Sequence, residues 1–117
     1  MFKDPVIRFN GFVWKAWICC HIQDENDEWD GMATAYATRR NGKAWNWPDH
    51  VLMGRQGTWD ARGARVTSVL PHGRVAYDGR RNASENWFEK IGLAVPQADS
   101  SALQSISDVP VSIARYL

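Results

Sequence analysis

The sequence predicts an all-β chain: two four-stranded antiparallel units followed by the first strand of a third. Three observations carry that prediction. Short apolar and β-branched runs are bounded by Asn-Gly, Pro and Gly, with no sustained 3.6-residue period to argue for helix. Seven Trp occur among 117 residues, mostly beside Val, Ile, Thr, Tyr and Phe, which is strand chemistry. The same order of elements also occurs twice. Asp4 and Asp60, Ala37 and Ala94, and Trp45 and Leu103 fall at offsets of 60 − 4 = 56, 94 − 37 = 57 and 103 − 45 = 58.

Taken in order, residues 6–9 form a short strand, and Asn10-Gly11 is the hairpin turn after it. Residues 12–22, FVWKAWICCHI, are a long and largely buried strand. The acidic stretch 23–31 is a loop, 32–38 a third strand, Asn41-Gly42 a second turn, and 44–47 a fourth short strand stopped by Pro48. In the second half, 64–70 is a strand and PHGR at 71–74 is a turn with Pro first and Gly third, suited to type II. Residues 75–78 are a strand, 79–86 a loop, 87–95 a strand, 96–101 a turn and 102–106 a fourth strand.

The whole chain therefore forms one domain, with units at about residues 4–52 and 59–107. VPVSIARYL, residues 109–117, opens a third unit. A four-stranded unit repeated about every 50 residues is the pattern of a propeller blade, and a closed propeller takes about four to eight of them. Two blades and one further strand leave edges without partners. The expectation is a piece of a longer propeller, or a homo-oligomer that pairs through those exposed edges.

Charge and composition exclude several functions. The formal net charge of +1 gives no general pull toward nucleic acid or an anionic membrane. No apolar run approaches the roughly 20 residues of a membrane span. The opening MFKDPVIRFNG lacks the basic-then-apolar order of a secretory leader. Cys19 and Cys20 are adjacent, so a bond between them would strain the backbone, and two thiols suit a reducing, cytoplasmic setting. Cys19-Cys20-His21 is too crowded to give one metal three ligands. The five carboxylates of 24–30 lack the glycine an EF-hand needs at its sixth position, so they form a solvated loop. Asn82-Ala83-Ser84 matches a glycosylation acceptor but is discounted without a leader. No Gly-rich phosphate loop is present. Neither a cofactor nor a metal is expected.

AYATRRNGKAW, residues 35–45, resembles a recurrent blade phrase, RYATS-DG-W, of the five-bladed propeller glycosidases, the arabinanase, xylosidase and invertase-like group. Asn41 stands where Asp is usual. DPVIRFNGFVWKAWICCH, GTWDARGARVTSVLPHGRVAYDGRRNASENWFEKIGLAV and the final RYL are similar to segments of bacterial relatives of that group. The resemblance covers nearly the whole chain. It implies a funnel lined by the innermost strand of each blade, with three acidic residues from different blades. One acts as base or nucleophile, one as general acid, and one orients or tunes the acid. Hydrolysis needs the first two across the scissile bond, and the acid must stay protonated near neutral pH.

Carried over residue by residue, Asp4 matches the Asp that opens the innermost strand of the catalytic blade, although an Asp before Pro also suits a plain turn. Asp60, in TWDARG, holds the same place one unit on. Arg62 and Arg65 stand ready to hold it ionised, and Gly63 lets backbone approach a ligand. An Asp–Arg pair with no catalytic part is the other reading. Glu85 is the candidate acid, on a loop where a Glu is more often solvated than catalytic. Asp78-Gly79-Arg80 reads as a turn at the funnel rim, with Arg62, Asp78, Arg80, Asn82, Trp59 and Trp87 as candidate substrate contacts. Each Trp has a core role as its alternative. An axial site would turn Asp4 and Asp60 toward one opening. The expected function is a glycoside hydrolase-like protein acting on or recognising a carbohydrate. The alternative is a non-catalytic carbohydrate-binding or self-assembling module.

Overall fold

The hairpin that opens the chain is fixed by one side chain. Asn10 Oδ1 accepts from the amides of Phe12 at 3.0 Å and Val13 at 2.9 Å, and Gly11 takes the left-handed φ of 98° that this turn requires. The computed structural model describes residues 2–22, 31–40, 44–46, 50–82, 89–98 and 100–113. Its strands are β1 (Phe2–Phe9), β2 (Val13–Ile22), β3 (Gly31–Arg40), β4 (His50–Met53), β5 (Gly63–Val69), β6 (Val75–Arg80), β7 (Lys90–Pro96), β8 (Leu103–Ser105) and β9 (Ser112–Ile113), with one 3-10 turn at Pro71–Gly73. Among the described residues, no helix is long and apolar enough to cross a membrane.

The fold class is as the sequence predicts: all-β and antiparallel. β1 to β4 pair in succession as unit one. β5 to β8 do so as unit two. A parallel contact between Met32 and Gly63 joins them. The repeat is visible in the pairing itself. Thr38 opposite Asn46 corresponds to Val95 opposite Gln104, with 95 − 38 = 57 and 104 − 46 = 58. Thr34 opposite Leu52 corresponds to Ile91 opposite Ser112, with 91 − 34 = 57 and 112 − 52 = 60.

That correspondence redraws three expectations. Residues 112–113 do not open a third unit: they pair with β7 and match β4, so they complete the outer strand of unit two. Residues 114–117 lie outside the described residues. In unit one, among the described residues of 44–47, Asn46 bridges Thr38, and the outer strand is β4 at His50–Met53. The offset of 56 between Asp4 and Asp60 is not an equivalence. Lys3 opposite Cys19 corresponds to Arg65 opposite Asp78, with 65 − 3 = 62 and 78 − 19 = 59. Asp4 therefore lies inside β1, whereas Asp60 lies in the turn before β5.

Both inner strands carry one extra residue at the same place. β1 shifts register between Lys3 and Val6, and β5 between Val66 and Ser68. In β1 this bulge holds Asp4 at the left-handed φ of 52°, a conformation that Asp tolerates better than most residues.

Residues opposite one another share a face of the sheet. The front face of unit one carries Val6, Trp17 and Tyr36 in one row, with Cys19, Thr34 and Leu52 in the next. The core forms where Leu52, Val6 and Trp17 pack against Ala64, Val66, Val75, Tyr77, Ala94 and Leu103 of unit two, with Trp59 enclosed among them. By the same correspondence that is the back face of unit two, since Tyr77 matches Ile18 (77 − 18 = 59). So the units stack front to back. The join includes Thr34, whose hydroxyl donates to the carbonyl of Ala64 at 3.0 Å and accepts from the amide of Val66 at 3.0 Å.

Trp59 lies across β6 and β7 because two glycines make room. A Cβ on Gly79 would fall 2.8 Å from its ring, and one on Gly92 would fall 2.7 Å from it. Gly79 is thus part of β6, which runs through Arg80. The expected turn at Asp78-Gly79-Arg80 is corrected to strand: the glycine serves close packing, not chain reversal. Neither cysteine forms a disulfide; Cys19 is buried and Cys20 partly so.

Candidate functional site

Arg65 links the two units through charge. It sits in β5, opposite Asp78 in β6, so an ordinary cross-strand pair brings the two side chains together. Its Nη2 donates to Asp78 Oδ2, and its Nη1 donates to Asp4 Oδ2 at 2.9 Å. One guanidinium thus spans a carboxylate from each unit. The Asp4 side chain is 52 % exposed, Arg65 24 % and Asp78 15 %, so the cluster opens on the Asp4 side. Burial lowers the affinity of Arg65 for its proton, but the hydrogen bond and charge of Asp78, with the charge of Asp4, more than compensate and raise its pKa.

Asp60 is held in a separate, inner cluster. It is 1 % exposed, so it does not face an opening shared with Asp4. Arg55 Nε donates to both of its oxygens at 3.1 Å. Thr58 Oγ1 donates to Oδ1 at 2.6 Å, and the Tyr77 phenol donates to Oδ2 at 2.7 Å. Burial raises the Asp60 pKa, but the hydrogen bonds from Arg55, Thr58 and Tyr77 and the charge of Arg55 outweigh it, and the net shift is downward. Burial and the bond to Asp60 together push the Tyr77 phenol well above its ordinary range. Arg55 also donates to the carbonyl of Ser107 at 2.9 Å, and the Trp59 indole N–H donates to the same carbonyl at 2.9 Å. The cluster therefore ties the turn before β5 to the segment after β8.

The remaining expected residues scatter. Trp59, 4 % exposed, stacks on Tyr77 with centroids 5.6 Å apart; its ring is core and offers no rim to a ligand. Arg80 is buried at the end of β6, with Nη1 3.7 Å from Glu89 Oε1. It too is corrected from rim to interior. Arg62 carries backbone bonds, its amide to the Arg80 carbonyl at 2.9 Å and its carbonyl from the Met32 amide at 3.1 Å. Asn82 is exposed just past β6. Glu85 and Trp87 lie outside the described residues, as does the acidic loop 24–30. Sequence reasoning missed Arg55, Thr58 and Tyr77 as partners of Asp60. Arg55 and Thr58 follow no motif, and Tyr77 reads only as a strand aromatic.

No family model matches the chain, and no curated protein does. Solved structures similar to it include the following two. One, described as a complex of BT0996 and RGII, shares 19 % identity over 95 % of this chain with a TM-score of 0.69. The other, a "Glycoside hydrolase", shares 20 % over 94 % with a TM-score of 0.70. The chain spans 37 % of the length of each. What this likeness establishes is the fold: the antiparallel all-β arrangement of a segment of a glycoside hydrolase.

Proposed function

We propose that this chain is a glycoside hydrolase-like module that recognises a carbohydrate through Asp4, Arg65 and Asp78. The observation that carries this reading is the single guanidinium set between carboxylates of two units, partly open to solvent. Charged hydrogen-bonding groups held in place by one another suit sugar hydroxyls, because their geometry is set before the ligand arrives. The second neighbour, a glycoside hydrolase, supports a carbohydrate as the ligand class.

Recognition fits this geometry better than hydrolysis. Hydrolysis takes two carboxyls on opposite sides of the scissile bond, whereas Asp4 and Asp78 both bind the same guanidinium. Asp60 is enclosed in the core, and Glu85, the other acid proposed for catalysis, lies outside the described residues. In this reading Asp60 secures the turn before β5, and Asn82 and Arg62 stay proposed substrate contacts. A hydrolytic role for Asp4 would need a second carboxyl about 5–10 Å away on the far side of a bound glycoside.

The test is calorimetric titration of arabino-, xylo- and fructo-oligosaccharides into the chain and into Arg65→Gln, with chromogenic glycosides of the same sugars assayed in parallel. Binding by the unmodified chain, lost in Arg65→Gln without loss of fold, supports recognition. Turnover abolished by Asp4→Asn would replace it with the hydrolytic reading. No binding to any of these sugars by the unmodified chain would sink it.

A further inference from the structure

The cluster of Asp4, Arg65 and Asp78 does not balance its own charge. Two carboxylates share one guanidinium, so the formal sum is 1 − 2 = −1, and a guanidinium stays cationic at any working pH. The surplus lies on the open side, because Asp4 is the most exposed of the three. Both bonds from Arg65 end on Oδ2 of their carboxylates. Among the described residues, Asp4 Oδ1 accepts no hydrogen bond.

The backbone sets where that carboxylate stands. Asp4 occupies the bulge of β1 at its left-handed φ, and its side chain reaches Arg65 of the other unit. Bulges re-aim a side chain beside a site. A ligand entering from the Asp4 side therefore meets a charged acceptor before it meets the cation. A sugar hydroxyl can donate to that acceptor but leaves the charge uncancelled. A sugar carboxylate is repelled by it. An ammonium group donates and cancels the surplus together. A metal ion would be opposed by the guanidinium already set between the carboxylates, and no group of three or more metal-ligating side chains occurs among the described residues.

We propose that the carbohydrate recognised here is an amino sugar of the glucosamine type, with its free ammonium group on Asp4 Oδ1. This inference rests on the carbohydrate-recognition reading and names the ligand class for the same site. Asp4 supplies the charge, and Arg65 holds it in position.

The test is calorimetric titration of glucosamine oligosaccharides, their N-acetylated counterparts and uronic acid oligosaccharides, at a pH that keeps the sugar amine charged. Acetylation removes the ammonium charge and keeps the ring. The glucosamine form should bind about fivefold tighter than the acetylated form, the scale of one partly solvated ion pair. Added salt should narrow that ratio, and the uronic acid form should bind most weakly. In Asp4→Asn, which keeps a residue that tolerates the left-handed backbone, the ratio should fall to about one. If that variant binds neither form, Asp4→Glu restores the charge and should restore the preference. Equal affinity for the glucosamine and acetylated forms in the unmodified chain overturns the proposal, as does tighter binding of the uronic acid form. A preference that survives Asp4→Asn, or one absent from Asp4→Glu, overturns it too. Binding of arabino-, xylo- or fructo-oligosaccharides without any gain from an amine sinks this inference and leaves the recognition reading standing. Binding of no sugar sinks both.

Discussion

Tyr77 donates its phenolic proton to Asp60 Oδ2 at 2.7 Å in a core that shields both from solvent. With that proton committed, Ser105 Oγ, 2.6 Å away, donates to the phenol oxygen and accepts from the Ser107 amide at 3.1 Å. The chain of bonds runs from Arg55 in the turn before β5 to the segment after β8. Satisfied buried networks of this sort fix one arrangement of a core, and a missing member leaves others unpaired.

Asp60→Asn should cost about 3 kcal/mol in urea unfolding, the range for breaking a buried ion pair from one side. The pH dependence has a definite sign. The folded-state pKa of Asp60 lies below the ordinary 3.8, so the unfolded chain binds more protons in that window. The stabilisation is fully present above the ordinary carboxylate range and is lost as pH falls from there through the lowered value. Unfolding midpoints measured down the acid range should fall less steeply in Asp60→Asn than in the unmodified chain. Parallel slopes would remove Asp60 from this role.

Gly79→Ala should destabilise the chain by about 2 kcal/mol, the overpacking range, because the new methyl would meet the Trp59 ring and the Asp60 Cβ at 2.8 and 2.7 Å. Thermal melting monitored by tryptophan emission tests this. An unchanged midpoint would mean that Trp59 has other room to move into.

Thr34→Val should cost about 2 kcal/mol by leaving the Ala64 carbonyl and the Val66 amide without their partner. Thr34→Ser should restore most of it. Hydrogen exchange at the Val66 amide gives a local readout: faster in the Val variant, near the unmodified rate in the Ser variant. Equal exchange in all three would show that Thr34 does not hold the units together.

Much of the fold is legible in the sequence because alternation and turn chemistry are local. Asn10-Gly11, the long run 12–22 and the strand 64–70 need only their neighbours to be read. The misreadings come from contacts made at a distance. Gly79 resembles a turn residue until Trp59 is placed over it. Residues 112–113 resemble a fresh strand until the free edge of β7 is seen to need one. The site follows the same rule. Asp4, Arg65 and Asp78 are each visible as charged residues, but their union depends on β1 and β5 meeting across the join between units. Asp60 resembles Asp4 by spacing alone, and spacing does not report where β5 begins: the inner strands correspond at 65 − 3 = 62, which leaves Asp60 in the turn before it.

Those shifts act as a parity bit. From Lys3 to Val6 the chain takes three steps while β2 takes two, from Cys19 to Trp17; from Arg65 to Ser68 it again takes three while β6 takes two, from Asp78 to Ala76. A strand that alternates with period two exchanges its sides after any odd insertion. The extra residue therefore decides which half of β1 is hidden: with it, Val6 joins Trp17 in the core and Ile7 and Phe9 look outward. The same residues paired from Lys3 in strict alternation, without the bulge, would present Val6 to the outside and turn Ile7 and Phe9 into the space it fills.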